Sequence, residues 1–386
     1  MLRPPRTTGH VVTLVLLLVV APAEVEAGDG APGSPAMAAP GEAKAISAPA
    51  TKDVSTGRRA LAAAGAVFPG VIAHGTGHLI LGEPRTGWAL LALEGAGAGL
   101  AVGGLAGAAA SGASRRVIAP IVLTTVTGVG LFGISLLADL YGVLAPEGGT
   151  GSPPSSLPWI ETQLGLAYVH DPTFAYRTFL VPGMDLRLSS VRLSGSGWFA
   201  LNDDNARLRA EAAHRFIGPG TPDGPRAADG SFLEIEGALT HHRYISDGFS
   251  ITTGEVSLEG RLDLAHIGRT LRGSFAEMGW GIAIEGYRYG RRPLEGNELL
   301  IPRFAFGAYL GHAGYPRGEA KVVYDHRHDG YVGGAKLPGL GSGVPGHFGL
   351  EGRLYASPRW GLLADVKAGS AYVGRLALLF RSGDSP

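Results

Sequence analysis

A chain of 386 residues is long enough for two or three domains and a sizeable core. Its 33 Lys and Arg balance 33 Asp and Glu, which argues against the net basic face of a nucleic-acid binder. Cysteine is absent, so disulfide scaffolds, thiolate metal sites and cysteine nucleophiles are excluded; 45% hydrophobic against 17% charged residues excludes a disordered chain. The 62 glycines show no three-residue period, so collagen is excluded as well.

In chain order, Arg3 and Arg6 precede an apolar run at 11–20, followed by the small residues Ala21, Ala23 and Ala27. A basic start, a short apolar stretch and a small-residue cleavage site predict a secretory signal peptide over 1–27. No cysteine follows the run, so a lipoprotein anchor is excluded. Residues 28–57 are mostly Ala, Pro, Gly, Ser and Thr and read as a flexible, disordered linker.

Residues 58–146 form a Gly/Ala-rich hydrophobic region, with apolar runs at 61–81, 88–113 and 117–144 separated by turn material. Each run is as long as a membrane-crossing helix. The second carries Gly95, Gly97, Gly99, Gly103, Gly104 and Gly107, the small-residue spacing that lets helices approach closely in membranes. Glu94 and Asp139 are the acids inside these runs and are expected to face a helical partner or water. His74 and His78 lie one helical turn apart and are a weak candidate metal pair; Gly75 stands where a zinc-protease helix would need a glutamate. Phe68-Pro69-Gly70, Gly77-His78, Leu81-Gly82 and Gly87-Trp88-Ala89-Leu90-Leu91 together resemble a small bacterial helical-hairpin pattern, which implies a packing module and no chemistry.

After Ser152-Pro153-Pro154-Ser155-Ser156 the period changes to two. Between 251 and 266, Thr253, Glu255, Ser257, Glu259, Arg261 and Asp263 fall on one face; Val256, Leu258, Gly260, Leu262 and Leu264 fall on the other. About twelve such runs are predicted, near 158–170, 174–189, 190–202, 205–217, 231–244, 250–266, 274–290, 299–312, 317–329, 346–357, 359–368 and 371–382. An even number of long, alternating strands predicts an all-β transmembrane barrel of about twelve antiparallel strands over 151–386. A soluble barrel or β-sandwich alternates too, with the apolar face inside, so the direction of that face decides between them. Tyr372, Gly374, Leu376, Leu378 and Phe380 line the outward face of the last run, which resembles the closing strand of Gram-negative outer-membrane barrels. Members of that class place the aromatic at the last residue, whereas six residues follow Phe380 here. The resemblance implies an outer-membrane location, a lipid bilayer around the wall and the barrel-insertion machinery as partner.

With the charged faces inward, the lumen is expected to hold Glu234, Glu236, Glu255, Glu259, Arg261, Asp263, Glu277, Arg303, Lys321, Asp325, Arg327 and Arg353. Mixed signs suit internal ion pairs better than an ion-selective pore, and twelve strands make a narrow barrel. These features predict a structural or narrow-pore role, with no catalysis, no cofactor and no nucleic-acid partner. Outer-membrane phospholipases use a His-x-Ser pair, and no histidine of this chain has a serine two residues on. The alternative enzyme is a lipid or peptide hydrolase built on the 325–329 region, where Asp325, Arg327 and Asp329 share one face and His326 and His328 the other. A metal site joining His326, His328 and His347 is a weak candidate. A third reading is an inner-membrane helical protein carrying a soluble periplasmic β-domain. The hydrophobic helices sit awkwardly with export to an outer membrane; one resolution is a compact periplasmic or barrel-associated unit that buries its own apolar faces.

Overall fold

The computed structural model describes residues 55–382 apart from 113, 115, 155–156, 173–176, 221–228, 246–247, 291–294, 313, 328–329, 338–340 and 343–345. The expected signal peptide, and the expected linker up to residue 54, lie outside the described residues.

Twelve antiparallel strands close into one barrel. They are β1 (Ile160–His170), β2 (Thr178–Leu188), β3 (Val191–Ala200), β4 (Ala206–Ile217), β5 (Phe232–Arg243) and β6 (Phe249–Asp263). There follow β7 (Ser274–Tyr289), β8 in two parts (Glu295–Leu300 and Arg303–Leu310), β9 (Arg317–Asp325), β10 (His347–Tyr355), β11 (Trp360–Ala368) and β12 (Tyr372–Arg381). Each strand pairs with its sequence neighbour, and β1 closes the ring on β12 from Glu161 opposite Arg381 to His170 opposite Tyr372. β8 breaks at Ile301-Pro302, where proline has no N–H to give to a ladder. Its first part pairs with β7 alone; its second part joins β7 to β9.

The strands form where the two-residue alternation is unbroken, and closure decides which way each face looks. Leu376 is 60% exposed and Ile284 64%, whereas Glu255 is 6% exposed. Leucine, isoleucine and valine therefore make up the outer surface and the charged residues fill the lumen. A continuous apolar outer belt is stable only against lipid. The wall is that of a membrane barrel, and the soluble β-domain of the third reading is set aside.

Two expected strands are too long. The 250–266 run ends at Asp263, after which Leu264–His266 turns as a 3₁₀ helix whose first N–H groups are capped by the Asp263 carboxylate at 2.9 Å from Ala265 N. The 317–329 run ends at Asp325. The 299–312 run in turn starts earlier, at Glu295, and is interrupted.

Four helices precede the barrel: α1 (Thr56–Val67), α2 (Thr76–Leu81), α3 (Pro84–Ser111) and α4 (Ile118–Leu144). The first apolar run is thus not one membrane-length helix but two short ones, broken at Pro69-Gly70. α3 begins with Pro84 in its first turn, where the missing N–H is harmless. α3 and α4 pair closely through glycine. A Cβ on Gly97 would sit 2.7 Å from Phe132 N, and one on Gly104 2.9 Å from Thr125 N. Gly95, Gly99 and Gly103 face open space on the other side of α3.

α4 rests on the outer wall of the barrel at β7 and β8. Gly130 lies directly over the Phe304 ring, where any side chain would collide. Trp280 Nε1 donates to Thr127 Oγ1 at 3.2 Å, and Tyr141 meets Phe306 edge-on. Leu90, Ile134, Ala138, Leu271 and Phe304 form one apolar cluster across this seam. Only 22% of the most apolar stretch of each long helix is buried. The helical unit is therefore barrel-associated, but it does not bury its own apolar faces; most of that surface points away from protein, as the wall's does.

Gly130→Leu is expected to lift α4 from the wall. With Thr127→Cys and Trp280→Cys introduced into this cysteine-free chain, a short bis-maleimide should link the two positions. The link should fall at least severalfold when Gly130→Leu is added.

Candidate functional site: the charged lumen

Closure brings the inward residues of neighbouring strands into one lattice of ion pairs. Arg192 on β3 reaches Glu234 at 3.1 Å and Glu236 at 2.8 Å on β5. Arg209 on β4 holds Glu255 of β6 at 2.6 Å and also contacts Glu211. Arg261 joins Glu277 at 2.5 Å and Glu319 at 2.8 Å, and Lys321 returns to Glu277 at 3.0 Å. Arg303 lies between Glu259 and Glu351, each at 3.6 Å. Arg327 reaches Glu255 at 3.2 Å, and Arg353 reaches Glu161 at 2.9 Å. Of the residues expected in the lumen, Glu234, Glu236, Glu255, Glu259, Arg261, Glu277, Arg303, Lys321, Arg327 and Arg353 take part in these pairs, and Asp325 lies 3.7 Å from Arg327. Asp263 is at the rim, where it accepts from Ala265 N. Glu161, Arg192 and Glu351 also belong to the lattice; the sequence reading passed over them, although alternation places each on the charged face.

The two ends of the lumen differ. At the end where β9 gives way to β10, Tyr331 and Val332 turn inward. They pack among Ala167, Val169, Phe179, Val181 and Val373 on the inner wall. Tyr331 donates to Asn205 Oδ1 at 2.5 Å, and Asn205 also meets His242 Nε2 at 3.2 Å. The Val332 carbonyl accepts from Ala371 N at 3.0 Å, tying the inserted segment to the β11–β12 turn. An apolar plug therefore closes this end.

At the opposite end, where the chain enters and leaves the barrel, the lumen opens as a cavity of about 410 Å³. Its wall is mostly charged, with acids and bases in near-equal number, and Pro219 and Gly230, which flank the β4–β5 connection, are part of its lining. Asp229 in that connection is held below the ordinary carboxylate value: burial opposes this, but hydrogen bonds from Ser231 and His266 outweigh it.

The weak metal candidates are placed apart or turned inward on the protein. Tyr324, and His326 beside it, belong to the outer face, where Tyr324 Oη meets His326 Nδ1 at 2.8 Å and packs on the helices. His347 pairs in register with Asp325 and faces the lumen, so His326 and His347 stand on opposite sides of the wall. His328 and Asp329 lie outside the described residues. His74 precedes α2 rather than sharing a helix with His78. Its Nδ1 meets Ser135 Oγ at 2.6 Å, and its backbone N–H donates to Glu94 at 2.7 Å. Asp139 accepts from Gly75 N at 2.9 Å, from Gly77 N and His78 N at 3.3 Å each, and from His78 Nδ1 at 2.6 Å. Glu94 and Asp139 thus latch the turn before α2 onto the hairpin, facing a helical partner. Among the described residues no group of three or more His, Asp or Glu side chains is arranged to hold a metal ion.

No family model matches this chain, and no curated protein matches it. Its similarity is to solved membrane barrels. The KdgM porin is 8% identical with a TM-score of 0.36, covering 57% of this chain and 99% of that one. The Acinetobacter baumannii outer membrane protein Omp33 is 9% identical with a TM-score of 0.29, covering 59% and 100%. The translocator domain of the autotransporter NalP from Neisseria meningitidis is 13% identical with a TM-score of 0.31, covering 58% and 88%.

Two substitutions probe these contacts. Arg209→Met leaves Glu255 with Arg327 alone and Glu211 with Arg192 alone, and should destabilise the barrel by about 1–3 kcal/mol, read as a lower temperature for the heat-induced gel shift. Adding Glu255→Gln should recover part of that loss. Asp139→Ala removes the acceptor of four donors, so protease cleavage within 68–83 should quicken about tenfold or more while the barrel's gel shift is unchanged.

Proposed function

We propose that this chain is an exported outer-membrane barrel with a structural role, its lumen shut to general solute passage and without catalysis. The observation that carries this reading is the inserted Tyr331-Val332 plug standing over a lumen crossed by paired charges. A wide pore needs an unfilled lumen; this one is spanned by arginine side chains whose carboxylate partners lie on neighbouring and more distant strands. An even strand number and an apolar outer wall support an outer membrane as the site. On this reading residues 1–27 direct export, the helices between 56 and 144 lie against the barrel in the bilayer, and the insertion machinery recognises β12.

A second reading, a narrow gated pore, is favoured by the cavity at the entry end: withdrawal of the plug would leave a path toward it. The hydrolase reading draws less support. The cavity is lined by Arg327 but by neither Asp325 nor His347.

Planar bilayers test the proposal. The wild-type protein is expected to show no steady open channel, and Tyr331→Gly with Val332→Gly to show brief, small openings. Steady large currents from the wild type would overturn the structural reading.

A further inference from the structure

Arg187, Arg192 and Arg215 stand side by side on β2, β3 and β4 at the mouth of the entry-end cavity. Arg187 and Arg192 are direct register partners on the same inward face. Like charges placed opposite each other on adjacent strands repel, so such a pair persists only where something negative answers it.

The nearby carboxylates are already taken. Glu234 gives Oε1 to Arg192 at 3.1 Å and Oε2 to Arg215 at 2.8 Å. Glu236 gives Oε2 to Arg192 at 2.8 Å, and its Oε1 faces Arg209 at 3.6 Å. Glu211 is divided between Arg192 at 3.4 Å and Arg209. Asp185 lies two residues before Arg187 on the same face, yet it makes no ion pair with it, and among the described residues the Arg187 guanidinium has no hydrogen-bonding partner. It faces a cavity of about 410 Å³, a volume within the range of small-ligand sites, whose lining carries ten Arg and Lys against nine Asp and Glu.

We propose that the entry-end cavity binds a small soluble oxyanion, a carboxylate or phosphate group, with Arg187 as its primary ligand. The guanidinium fork matches two oxygens of such a group side by side. Arg192 and Arg215 add field without giving up their own glutamates. Leu157, Pro219 and Phe232 supply an apolar rim for the rest of the solute. The cavity opens inside the barrel, away from the lipid-facing wall, so the source is a solute of the compartment at that end rather than a lipid headgroup. This goes beyond the structural reading and does not depend on whether the lumen conducts.

The test uses the full chain folded in detergent at low ionic strength, titrated calorimetrically with inorganic phosphate and, separately, with succinate. Saturable binding of at least one is expected, weakened about tenfold or more in Arg187→Met and unchanged in Lys367→Gln, a lumen residue at the plugged end. Without added anion, Arg187→Met should unfold no earlier than the wild type, because a repulsion has been removed; added phosphate or succinate should raise the midpoint of the wild type only. If Arg187→Met does not give a heat-shifting barrel, Arg187→Lys takes its place, keeping the charge without the fork, and should bind at least threefold more weakly than the wild type. No saturable binding of either probe, or equal binding by wild type and variant, would overturn the proposal. Displacement of the probes by anionic-lipid vesicles at equal anion concentration would overturn the assignment to a soluble source.

Discussion

Arginine–glutamate pairing between strands, inside a closed ring, is the constraint on which this molecule rests. Closing the sheet pairs each strand on both sides, apart from the first part of β8, and it also forces one face of each strand inward. A charge turned inward costs several kcal/mol to desolvate unless a partner meets it. Here the partners come from different strands: Arg209 from β4 meets Glu255 of β6, and Arg261 from β6 meets Glu319 of β9. These pairs join strands that are not ladder neighbours, so they cross-link the cylinder through its interior as well as around its wall.

The apolar outer surface then determines how the helices are held. Most of the wall presents aliphatic side chains, but at β7 and β8 it presents Trp280, Phe304 and Phe306, which form an aromatic shelf. α4 meets that shelf with Thr127 and Gly130, the small and polar residues that allow close approach. In lipid there is little hydrophobic gain from helix association, so fit and hydrogen bonds carry it. The Thr127–Trp280 bond and the glycine contacts of α3 with α4 answer that need. Glu94 and Asp139, costly in an apolar layer, are satisfied by the backbone of the turn before α2 and do not face lipid.

The lumen is asymmetric for the same reason. At one end an aromatic and aliphatic lining accepts Tyr331 and Val332 from a long link; at the other the lining is charged and stays open. An apolar segment gains by leaving water for the first lining and would gain nothing at the second. Arg187 belongs to the open end, where among the described residues no side chain forms an ion pair or hydrogen bond with its guanidinium.

Alternation of polar and apolar residues was enough to read the twelve strands to within a few positions, because that period is a local property of the backbone. It failed at local exceptions: the Asp263 cap that turns 264–266 into a 3₁₀ helix, the end of β9 at Asp325, and the proline break in β8. Composition alone likewise marked 88–113 and 117–144 as apolar helices, yet it ran α1 and α2 together across Pro69-Gly70. The charged face could be listed residue by residue from the sequence, including most of the lattice. Which arginine meets which glutamate, that Tyr331 turns into the lumen, that α4 lies on Phe304, and that Arg187 is left over were decided only when the ring closed. Those relations join residues tens to hundreds of positions apart, and a one-dimensional pattern holds no information about distance across a cylinder.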